Sequence, residues 1–305
     1  MKVIASATSC SIVRSASRNA RNALIAFLAP LALAQISTVR ADEGTGFFSY
    51  LPAIPKIGIP ELDITPFWTD DLKKAKSAYN NGNYDRAIKF FRKASDDGNI
   101  VADWYLGHMY RKGRGVPHDD ATAFSYYSRV ADTFDSEEKD QNKLRIMVDA
   151  QLRVADYYRT GIPAAGIRVD YRFAASSYLK IATTYGHPSA FYGLAMMNIR
   201  GQGVTKNPKQ GLKWLIAAAR KRHAQAEAYL GDLYWDGKYV EQDRTRALMW
   251  YILAKQSTNP AEFPDIVDRY DELNSAASED QRLEAQARAR VWDGQYPAVG
   301  VNSAE

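Results

Sequence analysis

One pattern recurs four times through the middle of this chain and restricts its fold more than any other feature. It is an alanine, an apolar residue four positions on, and a glycine seven beyond that. The copies read Ala102, Leu106, Gly107, Tyr110, Gly113; Ala150, Val154, Ala155, Tyr158, Gly161; Ala190, Leu194, Ala195, Asn198, Gly201; and Ala226, Leu230, Gly231, Tyr234, Gly237. The closing glycine advances by 48, then 40, then 36 residues. Self-similarity at such a period marks stacked supersecondary units, with insertions, rather than one globular core. The expected fold is all-α, an α-solenoid of helix-turn-helix repeats.

Within a copy, Ala102, Leu106 and Tyr110 fall four apart, on one helical face that packs on a neighbour. Gly113 and Gly115 end the helix, because glycine enters the left-handed cap conformation at little cost. Asp119 is the expected N-cap of a second helix, whose apolar row is Ala123, Phe124 and Tyr127. Later second helices carry Gly211, Leu212, Trp214, Leu215 and Ala218, then Ala247, Trp250, Tyr251 and Ala254. A shorter hairpin with Ala78, Tyr79, Gly82, Tyr84, Ala87, Ile88, Phe91, Ala94 and Gly98 starts the stack near Thr69. The spaced Ala, Leu-Gly, Tyr, Gly-x-Gly-Val and Asp positions resemble the Sel1-like subclass of tetratricopeptide repeats. The copy ending at Gly161 departs from that form, with Pro163 and three extra residues before Asp170.

The N-terminus reads as a targeting segment. Lys2, Arg14, Arg18 and Arg21 precede an apolar run from Ala23 to Ala34, and no acidic residue occurs before Asp42. This is the composition of a secretory signal, with cleavage expected after Ala34 or Ala41 and a periplasmic destination. Its apolar core is shorter than the roughly 20 residues a membrane-spanning helix needs. Removal of residues 1–41 takes five of the 40 basic residues and none of the 35 acidic ones, so the remaining chain is formally neutral. A nucleic-acid partner, which needs a basic stripe on the folded part, is thereby disfavoured. The single cysteine, Cys10, precedes the apolar run, so the exported part holds no thiol for a disulfide or for cysteine chemistry.

The expected organisation is a signal peptide over 1–41, a proline-rich linker over 42–68, about five repeat units over 69–258, capping helices over 259–296 and a disordered tail over 297–305. Pro52, Pro55, Pro60 and Pro66 exclude a continuous helix from the linker. The polar insertion "DTFDSEEKDQNK" is expected to lengthen a helix and expose a protease-accessible loop.

No catalytic or cofactor motif emerges. His108, His118, His187 and His223 lie in different copies, none with a second ligand at metal spacing, so neither a metal nor a small-molecule cofactor is expected. The glycine pairs are repeat turns, not phosphate cradles, since no strand precedes them. Alignment of the first helices places Trp104, Leu152, Tyr192 and Ala228 in one column. His108, Asp156, Met196 and Asp232 fall in a second, and Arg111, Arg159, Ile199 and Trp235 in a third. In tetratricopeptide stacks the first helices line the concave face, so the candidate partner-binding residues are Trp104, His108, Arg111, Asp156, Arg159, Tyr192, Asp232 and Trp235. His108 is the one histidine of this stripe and the candidate for altering binding with pH.

The hairpin "AYNNGNYDRAIKFFRKASDDGN", the copy "ADWYLGHMYRKGRGVPHDD", the segment "LRVADYYRTGIP" and the final "SEDQRLEAQARA" follow one another in this order. That order, over roughly residues 69–292, resembles the ExoR family of periplasmic Sel1-like regulators of rhizobia and related alphaproteobacteria. The resemblance implies a non-enzymatic, exported negative regulator of exopolysaccharide synthesis. Such a protein binds the periplasmic domain of a membrane sensor histidine kinase, holds its two-component system off, and is removed by a periplasmic protease. A periplasmic scaffold for envelope protein assembly is the alternative.

Overall fold

A computed structural model describes residues 70–297. The expected signal peptide, the proline-rich linker and residues 298–305 lie outside the described residues. Within them, α-helices run in chain order: α1 Asp70–Asn80, α2 Tyr84–Asp96, α3 Ile100–Lys112, α4 Asp120–Asp132, α5 Gln141–Thr160 and α6 Tyr171–Tyr185. They continue with α7 Pro188–Arg200, α8 Pro208–Ala219, α9 Ala224–Asp236, α10 Arg244–Gln256, α11 Pro264–Ala276 and α12 Glu279–Gln295. The only β pairing among the described residues is an isolated antiparallel bridge between Ile162 and Ile167. The all-α solenoid expected from the repeats is the fold observed.

Local chemistry sets the helix ends. Asp119 accepts from the amides of Ala121 and Thr122 at 3.0 and 3.1 Å, so α4 starts where its side chain satisfies two otherwise orphan donors. Ser278 and Gln281 form a reciprocal capping box at α12. Gly113, Gly201 and Gly237 close α3, α7 and α9 in the left-handed conformation. Gly161 closes α5 differently, with ψ at 159°, and the chain turns through Pro163–Ala165 into the Ile162–Ile167 bridge. Proline there cannot donate to a continuing helix, and the extra residues are absorbed in this turn. Gly115 at φ +70° lies where a Cβ would come within 2.8 Å of the Tyr84 carbonyl carbon. That position therefore requires glycine for space as well as for conformation.

Successive helices from α1 to α11 pack on one another, α12 packs on α10, and α3 also touches α5, as α5 touches α7. α3, α5 and α7 thus approach one another directly across repeats, which marks the first-helix side as the inner, tighter side of the stack. Between α4 and α5 the insertion forms a segment over 133–140 in which Asp135, Ser136, Glu137 and Lys139 are exposed. Asp140 then caps α5, the longest helix at 20 residues.

The buried residues fall into one large cluster from Val148 to Ala289 and two smaller ones, over Leu72–Met109 and Ala123–Ile162. At the C-terminal end α12 packs on α10 through Ala285 and Ala289, and Trp292 meets Trp250 edge-on with ring centroids 4.8 Å apart. This covers apolar surface that an open-ended stack would leave in water.

Candidate partner-binding face

The inner side is built by polar residues of the first helices, and its centre is Asp149 of α5. The Trp104 indole N–H donates to Asp149 Oδ2 at 2.7 Å, and His108 Nε2 lies 3.3 Å from the same oxygen. Arg153, one turn along α5, donates to Asp149 Oδ1 at 2.9 Å and reaches Asp156 at 3.4 Å. The His108, Asp149 and Arg153 side chains keep only 17%, 15% and 19% exposure, so these charges meet in a recess rather than on an open surface. Burial alone would raise the Asp149 carboxyl, but Arg153 and His108 hold it well below the usual carboxylate range. Burial moves His108 the other way, downward, against the pull of Asp149.

Further along the face a local rule repeats. The Tyr178 hydroxyl of α6 donates to Asp156 Oδ1 at 2.5 Å, and the Tyr251 hydroxyl of α10 donates to Asp232 Oδ1 at 2.7 Å. Each of these two aspartates thus accepts from a buried second-helix tyrosine. In the copy containing α3 a histidine takes the aspartate's place, and His108 meets the Tyr127 ring edge-on at 5.3 Å. Arg159 donates through Nε to the Tyr178 hydroxyl at 3.2 Å. Tyr192 stacks on His223 at 4.9 Å, while Trp235 carries Arg244 and Arg269 over its ring at 5.0 and 5.7 Å. Arg269 also approaches Asp232 at 3.8 Å.

The eight sequence-predicted residues are all half-buried and fall on this face, but they form local groups and not one continuous stripe. Leu152, Met196, Ile199 and Ala228, which share their columns, are core residues at 0, 5, 5 and 8% exposure. Ile199 packs against Gly211 of α8, where a Cβ would come within 2.5 Å of it. The columns break at these positions because their side chains are packed into the core.

His108 is also not the only histidine of the region. His187 and His223 are the N-caps of α7 and α9 and lie within electrostatic reach of Arg153. Burial lowers both, His223 to about 4. Sequence reasoning missed Asp149, Arg153, His187 and His223. The Asp149, Arg153, Asp156 spacing of four and three on one helix was the available signal for the first two, and helix N-cap positions for the histidines.

One contact joins distant parts of the stack. Glu262, between α10 and α11, accepts from Lys112 Nζ at 3.0 Å and lies 3.6 Å from Arg114, across 150 residues of sequence from Lys112. The stack curls far enough for its C-terminal part to meet the end of α3. Among the described residues no group of three His, Cys, Asp or Glu side chains is placed to hold a metal ion, and no helix is long and apolar enough to cross a membrane.

Stacked helical hairpins with an inner face of paired charges and half-buried aromatics define a repeat protein built for protein–protein contact. The Sel1 repeat family matches residues 78–99, 100–132, 148–180, 188–223 and 224–259. The exopolysaccharide production negative regulator of Rhizobium meliloti (strain 1021) is 32% identical over 206 residues, covering 68% of this chain and 75% of that protein. The protein of the same name from Rhizobium leguminosarum bv. viciae is 35% identical over 167 residues, covering 55% of this chain and 62% of that protein. The match thus spans under two thirds of the second relative's length. A crystallographically solved Sel1 repeat protein from Oxalobacter formigenes is 24% identical, with a TM-score of 0.48, covering 74% of this chain and 91% of that one. The chain belongs to the Sel1 repeat family and, within it, to the ExoR-type exopolysaccharide production negative regulators.

Proposed function

We propose that the protein is an exported negative regulator of exopolysaccharide synthesis. Its inner, first-helix face holds the periplasmic domain of a membrane sensor histidine kinase, and proteolysis relieves the inhibition. The observation that carries this reading is the relation to the two rhizobial proteins named as negative regulators. Three further features support it. A face of half-buried aromatics and paired charges suits reversible holding of another protein. The exposed segment over 133–140 offers a place where a protease gains access. The basic, then apolar, N-terminal sequence supports export.

The test is in-cell cross-linking of the intact protein, carried out at neutral and at acidic pH, in a strain whose polysaccharide output is followed on deletion. Capture of a sensor kinase at neutral pH, together with overproduction on deletion, is the expected result. Capture of envelope-assembly proteins at both pH values, with unchanged polysaccharide, would replace the regulator by a scaffold.

A further inference from the structure

Four carboxylates of the inner face are engaged internally, and part of its positive charge is left over. Asp149 is engaged by Arg153, Trp104 and His108, and Asp156 by Tyr178 and Arg153. Asp232 is engaged by Tyr251 and Arg269, and Glu262 by Lys112 and Arg114. Three guanidinium groups on the same side ion-pair with no carboxylate among the described residues: Arg111, Arg159 and Arg200. Arg111 lies beside Tyr127, and its Nε is buried without a hydrogen-bond acceptor. Arg159 has the Tyr178 hydroxyl for a partner, and Arg200 lies in the field of Tyr192 and Tyr229.

These three groups occupy the C-terminal turns of α3, α5 and α7, one on each of three successive first helices. Helices in contact run roughly 8–10 Å apart. An extended chain rises about 3.3 Å per residue, so carboxylates at every third residue match that interval. Arginine is also the side chain that meets a carboxylate with two parallel hydrogen bonds.

We infer that this row takes an acidic, extended segment of the partner protein, with its carboxylates falling on Arg111, Arg159 and Arg200 in turn. The inference rests on the reading of the first-helix side as the partner-binding face. An acidic polysaccharide shares the charge, but a sugar ring needs an open aromatic plane to stack on. Three aromatic rings of this face are already engaged: Tyr192 by His223, Trp235 by Arg244 and Arg269, and Trp104 by edge contacts with Tyr105 and His108. The row therefore fits a peptide better.

The probe is a fluorescent peptide of Gly and Ser with Glu at every third residue, titrated against the full chain by anisotropy at low and high salt. Its Gln and Lys counterparts and alginate oligosaccharides serve as comparisons. The Glu peptide alone is expected to bind, less tightly as salt rises. The combined Arg111→Gln, Arg159→Gln, Arg200→Gln variant should bind about tenfold more weakly, a loss of about 1.4 kcal/mol. Removing three exposed cations of second helices instead, by Lys89→Gln, Arg172→Gln and Lys209→Gln, should leave affinity unchanged.

If the triple variant does not fold, Arg200→Gln alone carries the test, since Arg200 is exposed, and a loss of about threefold is expected. Equal binding of the Gln peptide, equal loss from the second-helix variant, preference for alginate, or no peptide binding would overturn the inference. Capture of a kinase in cells by a protein that ignores the Glu peptide would refute this inference while leaving the regulator reading in place.

Discussion

Asp103 and Glu227 occupy the same position in two different repeats, each directly after the alanine of its copy in a first helix, and each is buried, at 6% and 0% exposure. Their surroundings differ. Asp103 is saturated: Ser95 Oγ donates to it at 2.6 Å, Arg129 Nε donates at 3.1 Å, and Arg129 Nη2 closes the fork. Arg129 itself is half exposed, so its positive charge keeps contact with water. Glu227 has Arg222 Nε at 3.2 Å and the Ser257 hydroxyl beside it, without the guanidinium fork that Asp103 has. Arg222 is nearly buried, at 6% exposure, and also serves Asp293 of α12 and Ser257. Burial outweighs Arg222 and pushes the Glu227 carboxyl up to about 7.

An equivalent buried acid thus does two jobs. In one unit it ties helices α2, α3 and α4 into a complete ion pair. In the other it leaves a half-satisfied group at the place where α12 closes the stack, and its guanidinium partner is shared with that closing helix. Buried polar groups stabilise when fully paired and cost free energy when partly paired.

The largest effect is expected from Arg129→Ala, which leaves the Asp103 charge with Ser95 alone. The loss should be about 3 kcal/mol in urea unfolding, as for other broken buried pairs. A loss under about 0.5 kcal/mol would mean that water reaches Asp103 and that the contrast with Glu227 is false.

Next comes pH. His223 titrates near 4 when folded against about 6.5 when unfolded, so only the unfolded chain gains this proton between those values. Its contribution is complete above pH 6.5 and falls as pH drops towards 4, by about 2 kcal/mol between pH 7 and pH 5. His108 and His187 act in the same direction. Glu227 acts in the opposite one, because its carboxyl is raised: its contribution is complete below about pH 4.3 and is lost as pH rises through 7. The acid-side fall should therefore flatten in His223→Asn and steepen in Glu227→Gln. Identical slopes in both variants would contradict the assignment.

Arg222→Ala should cost about 1.5 kcal/mol, half the Arg129 effect, since Glu227 can take up a proton when its partner is removed. Hydrogen exchange should rise in α12 and stay unchanged in α3 and α4. Arg222 also sits at φ 58°, so Arg222→Gly should recover several tenths of a kcal/mol relative to Ala. The smallest change is expected from Glu227→Gln at pH 8, within about 1 kcal/mol and towards higher stability, because the amide carries no charge to desolvate. Asp103→Asn should instead destabilise, by about 1–2 kcal/mol, through the loss of a charged hydrogen-bond fork.

Much of the fold was legible in the residues. The alanine and glycine phase marked every first helix from α3 onward, Asp119 marked the start of α4, and the polar insertion marked the exposed segment before α5. The inner face was legible only in part. Trp104 and His108 were placed together correctly by their spacing of four. Their common partner Asp149 was not found, because it lies 45 residues from Trp104 and falls in none of the aligned columns. The breaks at Leu152 and Ile199 were missed because alignment assumes identical repeats, whereas α5 is 20 residues long and the turn at Pro163 interrupts the common form.

The sequence by itself determined the repeat, its hairpins and their caps. Those features depend on contacts within about four residues along a helix or across one tight turn, where identity and spacing decide the outcome. Only the tertiary structure decided which charges meet and which remain over. The meeting of Lys112 with Glu262, the recess around Asp149 and the unequal fates of Asp103 and Glu227 depend on small rotations summed over several units. No single stretch of sequence contains that sum.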